Sequence, residues 1–186
     1  MSYKDFITEI PDFPIDGVNF KDLSPLLADE QTFRSALVDM GKRVRLPDYW
    51  VGIDSRGFLF ASGLATYFGG GVVCARKEGK TPGTKVSVSY DLEYGSATLE
   101  MGTKIDNEGE VVIVDDVLAT GGTLKATNEL AEKAGYKVVG NLVLVDLKYV
   151  PRVNDFDLNV RSAITYECFI RSSKRAREKN IDSLCT

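Results

Sequence analysis

Apolar residues recur along this chain in two rhythms that take turns. Between residues 31 and 45, Phe33, Leu37, Met40 and Val44 fall three and four apart, which predicts an amphipathic helix that stops before Pro47. A short apolar run over 49–54 predicts a strand, 58–68 a helix closed by Gly69, Gly70 and Gly71, and 72–76 the next strand. Two segments with period two, 84–89 and 97–101, predict a hairpin whose tip spans 90–96. The β-branched run that starts at Glu110 predicts a buried strand, followed by a Gly/Thr loop and a helix over 124–134 capped by Gly135. Strands over 137–147 and 160–166 complete the pattern. Residues 11–27 mix turn formers with apolar side chains and read as an ordered loop on the body. Strands alternating with helices at this spacing predict an α/β fold: an open, mostly parallel sheet flanked by helices on both faces. Ligands of such sheets sit outside the carboxyl ends of the strands, where the loops 55–57, 77–83 and 117–122 emerge.

Composition narrows the chemistry. At 186 residues, 44% hydrophobic and 27% charged, the chain has the make-up of one soluble domain with a core of its own. No apolar run approaches the ~20 residues of a membrane span, so no membrane partner is expected. Cys74, Cys168 and Cys185 lack metal-site spacing, and an odd count without a secretory start points to the cytoplasm. Five basic and two acidic side chains lie between 168 and 186, so the rest of the chain carries −7 of the net −4. A body that acidic argues against nucleic acid as a partner. There is no histidine, which leaves carboxylates, Lys, Tyr or a metal for proton chemistry.

The most informative stretch runs Val111-Val112-Ile113-Val114-Asp115-Asp116-Val117-Leu118-Ala119-Thr120-Gly121-Gly122-Thr123. Gly121 and Gly122 let the backbone approach an anion, Thr120 and Thr123 add hydroxyls, and the following helix offers free amides at its positive end. A plain phosphate loop has no use for two preceding carboxylates. Asp115 and Asp116 point instead to a ribose diol, with Mg²⁺ near it. This stretch resembles the phosphoribosyl-diphosphate loop of type I phosphoribosyltransferases, with Ala119 inside the loop.

Other stations carry the same likeness. Asp54-Ser55-Arg56-Gly57 places a guanidinium and a glycine amide after a strand and resembles the diphosphate loop of adenine phosphoribosyltransferases. Arg76, Lys77 and Lys80 resemble that family's basic segment, although Glu78 is a departure from it. Ser89-Tyr90-Asp91-Leu92-Glu93-Tyr94-Gly95 is similar to its mobile catalytic loop, in which Glu93 exchanges a proton with the base. Phe13 to Asp22 resembles its base-binding hood: Val18, Asn19, Phe20 and Lys21 would meet the base, with Leu147 on the opposite face. Asn19 stands where an aliphatic residue is common. Ala119 stands where relatives that act on 6-oxopurines carry an aspartate.

The resemblance covers about residues 6–167. It implies a domain over 1–167 with a small N-terminal hood (1–27) and a flexible hairpin loop (84–101), followed by a basic C-terminal extension (168–186). It further implies a Mg²⁺-dependent homodimer that makes AMP and diphosphate from adenine and 5-phosphoribosyl 1-diphosphate. Two alternatives stay open: a transferase for another nucleobase, and a non-catalytic sensor of phosphoribosyl diphosphate on the same fold.

Overall fold

A computed structural model of the chain describes residues 2–91, 95–103 and 108–167. After a 3₁₀ turn at Tyr3–Phe6, strands β1 (Thr8–Ile10) and β2 (Phe20–Asp22) pair antiparallel. Helices α1 (Ser24–Ala28) and α2 (Glu30–Gly41) lead into β3 (Tyr49–Ile53), α3 (Gly57–Phe68) and β4 (Gly71–Lys77). Strands β5 (Lys85–Asp91) and β6 (Ser96–Gly102) follow, then β7 (Glu110–Leu118), α4 (Gly122–Lys133), β8 (Lys137–Leu147) and β9 (Val160–Tyr166). The main sheet has the order β5-β6-β4-β3-β7-β8-β9. Its last five members run parallel, whereas β5 and β6 pair antiparallel beside β4. No helix among the described residues is long and apolar enough to cross a membrane.

Helices cover both faces. On one side Met40 of α2 and Phe60 and Leu64 of α3 pack on Val112, Val114, Leu142 and Leu144. On the other, Leu124, Leu130 and Ala131 of α4 pack on Val51, Ile113 and Val143. Burial from both sides is why β7 and β8 are nearly continuous apolar runs rather than alternating ones.

The elements expected from periodicity are present, with four differences. Helix α2 stops at Gly41, four residues short of the expected end, and Arg43 N–H already turns back to Met40 O at 3.0 Å. The Phe68 ring lies 2.2 Å from where a Cβ on residue 41 would be, so the close contact of α2 with α3 fixes glycine there. Val44 still reaches the core from outside the helix, which explains its helical spacing. The segment 11–27, expected as a loop, contains β2 and α1; both are too short to show a period, and Pro25 opens α1. Strand β7 continues to Leu118, two residues into the expected loop 117–122, so Asp115 and Asp116 stand inside the strand rather than at its end. Likewise β4 runs one residue past its expected end, to Lys77.

The hood is fastened to the body at β9. Lys21 is buried and pairs with Glu9 Oε1 at 2.8 Å, and the ammonium groups of Lys4 and Lys21 lie 4.8 and 4.5 Å from the Tyr166 ring centroid. Desolvation of a lysine is tolerable only with such partners.

Candidate active site

The carboxyl edge of the parallel strands gathers the predicted chemistry. Where β3 ends, the Asp54–Ser55 peptide is cis and Arg56 precedes the first turn of α3. That turn approaches β7 closely: a Cβ on Gly57 would lie 2.7 Å from Val114 O and 3.2 Å from Asp115 Oδ1. Only glycine lets the arginine-bearing loop lie directly against the acidic strand end. Asp54 accepts from the Lys77 amide at 3.3 Å and from Lys80 Nζ at 3.5 Å, so its carboxylate anchors the basic segment. The Arg76 guanidinium reaches Lys80 O at 3.4 Å and lies over Phe58.

Arg56 links two parts of the site. Its Nε lies 2.7 Å from Asp116 Oδ2, and its guanidinium sits 5.4 Å from the Phe20 ring centroid. Asp116 Oδ2 is buried and, despite the ion pair, accepts no aligned hydrogen bond among the described residues. An oxygen in that state is suited to a hydroxyl or a cation. Asp115 accepts from the Asp116 amide at 2.9 Å. Burial, and then the neighbouring Asp116 charge, push the Asp115 carboxyl well above the usual carboxylate range.

Beyond the carboxylates lies the phosphate loop. Gly121, at φ +86°, caps α4, and the first-turn amides of Gly122, Thr123 and Leu124 have no intrahelical acceptors. Thr123 and Leu124, together with Asp115, Ala119, Thr120 and Gly121, line a recess of about 90 Å³. Amides converging on a small recess at a helix N-terminus bind phosphate. Thr123 Oγ1 is also 3.2 Å from the Tyr90 hydroxyl at the end of β5.

A larger cavity of about 1090 Å³ adjoins the loop, with Val18, Asn19, Ala119, Thr120, Gly122 and Leu147 in its walls. The structure thus brings Val18 and Asn19 of the hood and Leu147 of β8 to one space, whereas Phe20, expected opposite Leu147, is not among its walls and packs instead against Arg56 and Phe13. Val18 donates its amide to Ile15 O at 3.2 Å and accepts from Phe13 at 3.1 Å, closing the hood turn. Asn19 donates from Nδ2 to Glu9 Oε2 at 2.9 Å, while its Oδ1 is buried without a partner among the described residues. Because the ionised Glu9 can only accept, it fixes which end of the Asn19 amide is which. The Lys21 side chain was expected at the base and instead supports the hood from behind, against Glu9 and Tyr166. Glu93 and Tyr94, and the extension 168–186 with Cys168 and Cys185, lie outside the described residues.

Sequence reasoning passed over the β8–β9 connection. Val153 N–H donates to Thr120 O at 2.9 Å, Lys125 Nζ to Asn154 O at 3.2 Å, and the Phe156 ring fills the place a Cβ on Gly121 would take. These contacts join residues about thirty positions apart, and no local pattern announces them. The signal that was available is Asp146, a lone carboxylate at the end of the apolar run 142–147, with Lys148 and Arg152 close behind it.

Comparison with known proteins agrees with this geometry. Residues 42–167 match the phosphoribosyl transferase domain family. The adenine phosphoribosyltransferase of Carboxydothermus hydrogenoformans is 50% identical over 150 residues, covering 79% of this chain and 88% of the relative. The crystal structure of the enzyme of that name from Thermoanaerobacter pseudethanolicus superposes with a TM-score of 0.82 at 38% identity, covering 88% of this chain and 98% of that one. The Saccharomyces cerevisiae enzyme, solved with D-2,5-dideoxy-2,5-imino-altritol 1,6-bisphosphate and adenine, gives 0.76 at 33% identity, over 86% of this chain and 95% of its own. With a carboxylate pair, an arginine loop and a glycine-capped phosphate loop on one sheet edge, and relatives matched over most of their length, the chain belongs to the adenine phosphoribosyltransferase family.

Proposed function

We propose that this chain transfers the phosphoribosyl group of 5-phosphoribosyl 1-diphosphate to adenine, forming AMP and diphosphate in purine salvage. The observation that carries the reading is the line of contacts from Phe20 through Arg56 to Asp116, with the phosphate loop at its far end. It runs in the order of the substrate's parts: base, diphosphate, ribose, 5′-phosphate. Phe20 and Leu147 hold the ring of the base, and the hood backbone at Val18 and Asn19 reads its edge. Arg56, Arg76, Lys77 and Lys80 face the diphosphate, with Ser55, Gly57 and Tyr94 beside it and Asp54 anchoring the basic segment. Asp115 and Asp116 hold the ribose hydroxyls, and residues 119–123 hold the 5′-phosphate.

In the reaction, N9 of adenine gives its electron pair to the anomeric carbon as the bond from that carbon to the diphosphate oxygen breaks. The diphosphate leaves with the bonding pair. The sugar passes through an oxocarbenium-like transition state, so cations placed where the leaving charge develops lower the barrier. Adenine loses its ring proton as the new bond forms at N9, and Glu93 accepts that proton at N7. The acidic pair fits Mg²⁺, since Asp116 Oδ2 is buried and without an aligned donor, and magnesium commonly takes one or two carboxylates plus substrate oxygens. When bound, Mg²⁺ neutralises charge on the leaving diphosphate. A cytoplasmic homodimer completes the proposal, supported by the exposed apolar Leu59 and Tyr67 on α3.

Adenine is preferred over 6-oxopurines because Ala119 can neither donate nor accept through its side chain and because the donor end of the Asn19 amide is engaged by Glu9. A mismatch of donor and acceptor at a buried edge costs on the order of 10⁴ in discrimination. The test is nucleotide formation from a panel of purines and pyrimidines with phosphoribosyl diphosphate and Mg²⁺. Adenine is expected to lead by that margin. Comparable efficiency with hypoxanthine or guanine would move the assignment to another base, and binding without turnover would make the chain a sensor.

A further inference from the structure

We propose that Arg152 is a positioning residue that holds the phosphate loop and the base wall in one register. The inference rests on the adenine reading above. One guanidinium nitrogen, Nη1, donates to Ala119 O, where the phosphate loop begins, and to Leu147 O at 3.3 Å, where the base wall ends. The other, Nη2, pairs with Asp146 Oδ1. Asp146 is buried in β8, level with Leu118 on β7 and Thr165 on β9, so the anchor of the arginine sits in the rigid part of the sheet. The guanidinium also lies 5.9 Å from the centroid of the Phe156 ring, the ring that packs on Gly121. The next residue, Val153, donates to Thr120 O.

A single planar group therefore ties together the carbonyls that border two substrate subsites. Neither carbonyl belongs to a helix, and each lies just past the end of a strand or at its last residue. The β7–β8 pairing ends at Leu118 and Asp146, one residue before the two carbonyls, and beyond that rung a fork with fixed angles between its N–H bonds holds them together. The reaction needs N9 and the anomeric carbon within bonding approach, and a misplacement of about 1 Å costs on the order of 10²-fold in rate. Arg152 acts through the two carbonyls rather than on the reacting atoms. A lysine would keep the charge beside Asp146 and lose the fork.

The experiment compares the full chain with Arg152→Lys and Asp146→Asn. Thermal unfolding is measured, then calorimetric Kd for adenine, ribose 5-phosphate and AMP, then kcat and KM. AMP spans both subsites and gains from holding its two halves at the right separation, whereas the fragments do not. In folded Arg152→Lys we expect adenine and ribose 5-phosphate to bind within about 3-fold of wild type, AMP to weaken about 10-fold, and kcat to fall about 10²-fold. Asp146→Asn, which keeps shape and leaves the arginine unanchored, should move the same quantities less, and it carries the test if Arg152→Lys does not fold. Weakening of all three ligands together would show a merely structural arginine and overturn the proposal. So would unchanged AMP affinity and kcat. A wild-type chain that binds neither adenine nor AMP overturns the adenine reading itself, and the positioning proposal with it.

Discussion

The two ends of the site are built on different principles. The proposed phosphate end is contiguous: residues 115–123 leave a strand covered on both faces and enter α4, and the groups they offer a ligand are largely backbone amides. The base end is assembled from distant parts. Phe20 comes from a two-stranded hood whose turn, 11–18, is exposed throughout, Leu147 from the end of β8, and the hood is held by Glu9, Lys21 and Tyr166. A phosphate needs several donors at fixed angles, which one short stretch of chain can make by its own conformation. A flat base needs two apolar surfaces and an edge, which any parts of the fold can supply. The phosphate end should therefore fail abruptly under small changes, and the base end by degrees.

The sharpest test of that contrast is Asp115→Asn together with Asp116→Asn. Binding of phosphoribosyl diphosphate should fall by about 10³-fold or more while adenine still binds, and thermal stability should hold or rise, because two buried carboxylates repel each other. Equal loss of both ligands in a titration would erase the distinction between the two ends. Next in size is Glu93→Gln. Removing the proton acceptor without changing shape should lower single-turnover rate by roughly 10²- to 10⁴-fold, with adenine affinity little changed. An unaffected chemical step would make Glu93 a bystander.

The same contrast explains what could be read from the chain alone. The juxtaposition of Asp115, Asp116 and the loop 119–123 was legible because these residues are neighbours in sequence, carried from one strand into one helix. Strands β8 and β9 were legible to their end residues: β8 ends in a run of seven buried residues, and β9 is a short β-branched stretch. The end of α2 was not, because the Phe68 ring against Gly41 decides it and Val44 keeps the helical spacing past the true end. Lys21 was misjudged for a related reason. A lysine in a substrate-facing motif looks like a ligand group until its partners Glu9 and Tyr166, twelve residues before and far after, are known. Arg152 was missed altogether, since two of its three acceptors are backbone carbonyls, 33 and five residues away, and the third, the Asp146 carboxylate, is buried in β8.

A graded effect at the base end is expected from Glu9→Leu. The buried Lys21 ammonium then loses its counter-charge and Asn19 its acceptor, so the hood loosens. Adenine should bind about 10-fold more weakly, equivalent to ~1.4 kcal/mol, with phosphoribosyl diphosphate affinity within about 2-fold. Glu9→Gln, which still accepts from Asn19, should lose less. A matching drop in phosphoribosyl diphosphate affinity would mean that the hood and the phosphate end are one unit after all.

The smallest effect is a proton count at the phosphate end. In the folded, ligand-free chain the Asp115 carboxyl is held above its ordinary value of 3.8, by burial first and the Asp116 charge second. Its contribution to stability is thus fully present below the ordinary value and is lost as pH rises through the higher, folded one. Ribose hydroxyls donating to the carboxylate, or a cation beside it, favour the ionised form and reverse the shift. Binding of phosphoribosyl diphosphate with Mg²⁺ should therefore release a fraction of a proton from Asp115, and affinity should rise with pH until that carboxyl is ionised. Calorimetry in buffers of different ionisation enthalpy measures the count, and the substrate's own phosphates add the same background to every chain. Asp115→Asn should release less than the wild type by that fraction. Equal release from the two chains would place the titrating group elsewhere and leave Asp115 a structural carboxyl behind Asp116.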